Sequence, residues 1–149
     1  MTKFLLAVHV LAAIVAIGPV TVAASMFPPA ARRVLEAPDD VRAAETLQLL
    51  YRICRVYAVV GVVVPVFGFA TASSMHVLGS AWLITSIALT ALAAVVLALL
   101  VLPRQGALVE GGGTGRATAR LAMFTGVFNL LWAAVTVLMI IRPGSTTGA

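Results

Sequence analysis

The first apolar run of the chain, MTKFLLAVHVLAAIVAIGPVTVAASMF, holds no charged residue from Phe4 to Phe27, yet it holds an imidazole, His9. The only other histidine, His76, follows Met75 in the short polar stretch TASSMHV, and Met139 lies near the end of the last apolar run. Imidazole and thioether groups ligate haem iron and copper. His9, His76, Met75 and Met139 are therefore the candidate ligands of a haem b or copper site, with the two histidines as candidate metal ligands. Nothing in their spacing forces that reading. His9 can equally be neutral and hydrogen-bonded to a neighbouring helix or to water, or belong to a proton or ion pathway, because ionisable groups inside membrane segments are functional suspects by default. His76 can equally be a polar cap on the helix that follows it.

Other chemistries find little support. There is no Ser-His-Asp set and no pair of carboxylates. The glycine-rich stretch RQGALVEGGGTGRAT lacks the Gly-Lys-Ser/Thr ending and the preceding strand of a phosphate-binding loop, and reads as a flexible connection. The single cysteine, Cys54, lies between Arg52 and Arg55, so no disulfide can form within the chain and no CxxC motif exists. It reads as a small apolar residue, since reactivity requires a particular microenvironment.

The elements that must position these residues are membrane helices. Of 149 residues, 62% are hydrophobic and 10% charged, against about 25% charged in an ordinary soluble domain. A membrane-crossing helix needs about 20 mostly apolar residues. Four stretches qualify, at 4–26, 53–73, 77–102 and 121–141, the third ended by Pro103 and the fourth by Arg142 and Pro143. The fold expected is a single all-α domain, a four-transmembrane-helix bundle, with the bilayer as its partner.

Lys3 and the sequence VAAS near Ala24 resemble a secretory signal with a cleavage site. Charge argues against cleavage. Arg32, Arg33, Arg42, Arg52, Arg55, Arg104, Arg116 and Arg120 fall on one side of the four spans, and only Lys3 and Arg142 fall on the other. The positive-inside rule then places the loops 27–52 and 103–120 in the cytoplasm and both termini outside. The net charge of +5 is thus an orientation signal, and no nucleic-acid surface is expected. Arginine outnumbers lysine and alanine, valine and glycine abound, which fits a GC-rich bacterial genome and the bacterial plasma membrane. Within the first loop, Pro38-Asp39-Asp40 has the composition of a helix start. Apolar residues then recur at Val41, Ala44, Leu47, Tyr51 and Cys54, so the second helix is expected to begin in the cytoplasm and run unbroken into its span.

Small residues mark where membrane helices meet. They form stripes at His9, Ala12, Ala13, Ala16, Val20, Ala23 and Ala24; at Gly61, Pro65, Gly68 and Ala72, with Pro65 set to kink the helix; at Ser86, Thr90, Ala94 and Ala98; and at Ala122, Gly126, Asn129, Ala133 and Thr136. Asn129 is expected to bond across helices, because an unpaired amide in hydrocarbon is costly. His9 shares its stripe with the alanines and so points into the bundle, about 8 Å below the border at 1.5 Å per residue. His76 lies nearly at the border, a depth mismatch that tilt would have to close if both were axial ligands of one haem.

The run HVLAAIVAIG at His9, Pro65 and Gly68 in the second span, SAWLITS opening the third and Arg142-Pro143-Gly144 closing the fourth resemble an uncharacterised family of small four-helix bacterial membrane proteins, distantly similar to the CopD copper-resistance proteins and the HemJ type of protoporphyrinogen oxidase. The resemblance covers nearly the whole chain through loose, apolar motifs. It implies a haem or metal role for His9. Ala16 stands where those proteins often carry tryptophan, and Pro19 where they often carry a second glycine. HemJ-type oxidases pair the histidine with an intramembrane lysine, and Lys3 is the only lysine here, so that activity is not expected. Two other readings remain open: a non-catalytic structural or accessory subunit of a homodimer or larger membrane complex, and a small transporter component. The second is disfavoured by the lack of an inverted repeat and of any acidic residue in the spans.

Overall fold

The computed structural model describes residues 1–145 and is all-helical across them. The helices are α1 (Thr2–Glu36), α2 (Val41–Val60), α3 (Val63–Ser74), α4 (Ala81–Val95), a π-helical turn (Val96–Val101), α5 (Leu102–Val109) and α6 (Gly115–Ile141). Together α2 and α3 make one apolar rod, and α4, the π turn and α5 another, so four rods are long and apolar enough to cross a membrane. In the most apolar window of each of the first two rods only 11% of residues are buried. Phe4, Leu11, Val59, Phe69 and Leu130 are among the large side chains left exposed. Such a surface suits lipid and not water. The end of the chain, 146–149, which belongs to the terminus expected outside, lies beyond the described residues.

The helices are longer than the expected spans. α1 passes Pro19, Pro28 and Pro29 and ends only at Glu36, so much of the segment 27–52 is helix and not loop. At 1.5 Å per residue its 35 residues reach about 52 Å, well beyond the roughly 30 Å of a hydrocarbon core. Each proline removes a backbone donor, but Phe27, Pro28 and Ala31 are buried against other helices, and such packing lets membrane helices tolerate proline. Pro103 does not end the third rod either. The backbone loosens into a π turn just before it, Leu102 N–H bonding to Leu97 O, and α5 then runs to Val109. The Arg104 guanidinium reaches back one turn to Leu100 O at 2.9 Å. α6 starts at Gly115 with Thr114 as its cap and stops where expected, at Arg142 and Pro143. The connection 103–120 is accordingly reduced to a few residues.

Asp40 caps α2 as its composition predicts, accepting from Arg42 N at 3.0 Å and Ala43 N at 3.3 Å. α2 runs unbroken from Val41 past the expected start of the span at Ile53, and the break comes inside the span. The ladder turns at Gly61 and Val62, four residues ahead of Pro65, where Pro65 has no N–H for Gly61 O and Val64 N takes that acceptor instead at 3.1 Å. Serines and threonines elsewhere in the rods bond their own helix, as Ser86 does to Trp82 O and Thr90 to Ser86 O. This leaves few polar groups bare in lipid.

Small residues bring α1 into the centre. Ala16, Val20, Ala23 and Ala24 are fully or nearly buried, and α1 packs on α2, α3 and α6. The expected stripes on the later helices slip in part. Ser86 is buried as expected, and Thr90, Ala94 and Thr136 line the open interior, but Ala98 and Ala133 are exposed and the other buried positions are Ala93, Val96, Leu97 and Val101 on one rod and Thr118, Leu121, Thr125, Phe128 and Val135 on the other. Asn129 does bond across helices, Nδ2 donating to Ser25 Oγ at 3.0 Å. In the half containing α2 and α5 these two helices pack and close the ring around one continuous core. In the half containing α3 and α4 these two helices meet only near their connection, at Ala72, Trp82 and Leu83, and the bundle stays open.

Candidate functional site

The open half forms a groove of about 1500 Å³ with α1 and α6 as its floor and α3 and α4 as its walls. Its lining is almost wholly apolar and includes His9, Met75, Trp82, Trp132 and Met139. Three of the four candidate ligands therefore meet in one cavity.

His9 is held there by two features of α3. Its Nδ1 lies 3.0 Å from Val64 O. A carbonyl can only accept, so Nδ1 carries the donated hydrogen, and the tautomer this selects has its lone pair on Nε2. No hydrogen bond joins Nε2 to any described residue. The second feature is Gly68. A Cβ built there would lie 2.8 Å from His9 Cε1 and 3.2 Å from Nδ1, closer than side chains approach one another. Glycine at this point is what allows the imidazole to lie flat against the α3 backbone. The arrangement, with one ring nitrogen fixed on a backbone carbonyl and the other left unpaired, is the one that orients metal-bound histidines.

Met139 packs against a small cluster of Ala72, Trp82 and Leu83, and Met75 is half-buried at the C-cap of α3. His76 is placed elsewhere. It is exposed and does not line the groove. Nor does it cap the following helix, whose N-cap is Ser80. Its φ of 57° is the left-handed position that ends α3: His76 N–H bonds Ser73 O at 3.1 Å and Val77 N–H bonds Ala72 O at 3.2 Å. That is the Schellman pattern, and Val77 and Ala72 make its usual apolar contact. The backbone alone accounts for His76 as a helix-ending residue.

The sequence reading overlooked Arg142 and Trp82. Arg142, read there only as a stop and a charge, lines the groove at its rim. Its guanidinium stacks on the Trp82 ring at 5.7 Å to the centroid, and its Nε donates to Met139 O at 3.2 Å. The available signal was a lone cation closing a span whose neighbour opens with tryptophan. Also overlooked was Gln105, buried with no exposed surface in the closed half. Its Nε2 donates to Cys54 Sγ at 3.6 Å while its Oε1 has no partner. Its spacing from Val101 and Leu108 marked it as a core position. Cys54 is fully buried, in keeping with its reading as a small apolar residue.

Among the described residues no three of His, Cys, Asp and Glu cluster as a metal site, so a site here would be built on His9 with thioether or exogenous ligands. No protein-family model, curated protein or solved structure matches the chain.

Proposed function

We propose that this chain is a small multi-pass protein of the bacterial plasma membrane that holds haem b in the groove, where His9 Nε2 would bind it, and that it serves as a non-catalytic cofactor-carrying component. The single observation that carries the reading is the Nδ1 hydrogen bond to Val64 O, which leaves Nε2 with its lone pair in a residue that lines a large apolar groove. A bound haem would supply one-electron transfer. The protein's own residues orient the imidazole through Val64, make room for it at Gly68, and exclude water with the walls of α3 and α4. Met139 and Met75 are the groove's thioethers and would be its further candidate ligands. Copper would draw on the same residues, but a groove of about 1500 Å³ fits a broad apolar ring better than a bare ion.

The groove end of the bundle is assigned to the outer leaflet. The support is charge: eight arginines lie toward the other end and only Lys3 and Arg142 toward this one, and arginines resist translocation. A cysteine placed at Ser74, with Cys54 replaced by Ser, should react with an impermeant thiol reagent in intact cells. Lack of labelling there, together with a fluorescent GFP fused after Ala149, would invert the orientation.

The ligand is tested by the visible spectrum and metal content of protein purified from haem- and copper-replete cells. Soret and α bands are expected. A colourless, metal-free protein would overturn the haem reading and favour an accessory subunit whose open groove receives a partner helix.

A further inference from the structure

We infer that Arg142 is the anchor for the carboxylates of the groove's ligand, so that His9 and Arg142 together fix which edge of a macrocycle faces the membrane surface. The inference rests on the haem reading above and adds an orientation to it. Among the described residues, Arg142 is the only Arg, Lys, Asp or Glu side chain that lines the groove. All five acidic residues, Glu36, Asp39, Asp40, Glu45 and Glu110, belong to the opposite end of the bundle, so no described carboxylate neutralises it.

The side chain is also positioned. Arg142 takes a left-handed φ of 48°, rare for a residue with a Cβ, as its N–H closes α6 on Leu138 O. Such a conformation persists only where its surroundings hold it. Here the Nε bond to Met139 O and the stack on Trp82 fold the guanidinium back over the rim of the groove and tie α6 to α4. Both contacts use one edge and one face of the guanidinium, whose planar fork suits bidentate carboxylate binding.

Depth completes the match. His9 lies seven residues into α1 from Thr2, about 10 Å at 1.5 Å per residue. Thr2 in turn bonds Ser74 at 2.6 Å, at the end of the bundle where Arg142 sits. A nitrogen ligand at depth beneath a surface cation is complementary to a ring with a metal at its centre and carboxylates on one edge. A wholly apolar ligand would leave Arg142 unused, and an anionic lipid would leave His9 unused.

The full-length protein, free of haem in detergent, is titrated with haemin and with haemin dimethyl ester, in which the carboxylates are masked. Wild type should bind the diacid about ten-fold or more tighter than the ester, the scale of a charge-assisted hydrogen bond. Arg142→Gln should erase that preference and leave ester affinity unchanged, while Arg142→Lys should keep most of it. Matched elution and melting profiles establish that the variants fold. Equal binding of both probes by wild type, or an undiminished preference in Arg142→Gln, overturns this inference alone. Binding of neither probe by wild type overturns the haem reading with it.

Discussion

The two halves of this bundle are made of the same kinds of residue and behave as opposites. In one half α2 meets α5 and the helices close on Phe27, Leu47, Val101, Leu121 and Phe128, all nearly or fully buried. In the other, α3 and α4 meet only near their connection, at Ala72, Trp82 and Leu83, and the rest of the interior is a groove with a histidine on its floor. Lipid gives no hydrophobic drive toward closure, so what closes a membrane bundle is the fit of side chains. The closed half packs alanines against leucines, valines and two phenylalanines that fit. The open half has a proline, a glycine and a ring of imidazole where a filling side chain would be. The difference suggests that stability resides in one half and binding in the other, the division expected when ligand-binding parts are drawn from the less stable end of a molecule.

The largest effect that tests this contrast is on stability. Phe27→Ala should cost about 3 kcal/mol, the low end for a buried aromatic because lipid and not water takes up the exposed surface. Ile87→Ala, on the groove wall and 48% exposed, should cost less than about 0.5 kcal/mol. Thermal unfolding in one detergent compares them, and equal losses would mean that the halves are not distinct. Next comes Gly68→Val. Its Cβ would meet the imidazole at 2.8 Å, so the ring must move from Val64, at about 1–3 kcal/mol of overpacking. Haem affinity should fall with it, whereas Gly126→Ala, where a Cβ would meet nothing within 4 Å, should leave both unchanged. The smallest effect is expected at His76. His76→Gly relieves a left-handed residue and should change stability by no more than about 1 kcal/mol, in the favourable direction, with binding unaltered.

Much of the fold was legible in the sequence because the four apolar runs, the Asp40 cap and the Arg142-Pro143 stop are local signals. The prolines misled for a physical reason. A missing N–H ends a helix in water, but Pro28 is buried against neighbouring helices and the backbone loosens into a π turn ahead of Pro103. The small-residue stripe of α1 could be read because α1 is central. Those of α4 and α6 could be read only in part, because helices bathed in lipid are apolar on every face and periodicity no longer tells inside from outside. His9 declared itself by being an imidazole in an apolar run. Its Val64 acceptor is a backbone atom distant in sequence, and no residue type encodes it. His76 and Arg142 exchange roles for a related reason: the exposed histidine ends a helix, while the terminal arginine folds back over the groove.

The central claim is that His9, and not His76, carries the ligand. It is tested most directly by visible spectra of wild type, His9→Ala and His76→Ala purified in parallel from haem-replete cells. The account predicts haem bands in wild type and His76→Ala and their loss in His9→Ala, with all three proteins eluting alike. Bands that survive in His9→Ala at wild-type intensity, or vanish only in His76→Ala, would contradict it.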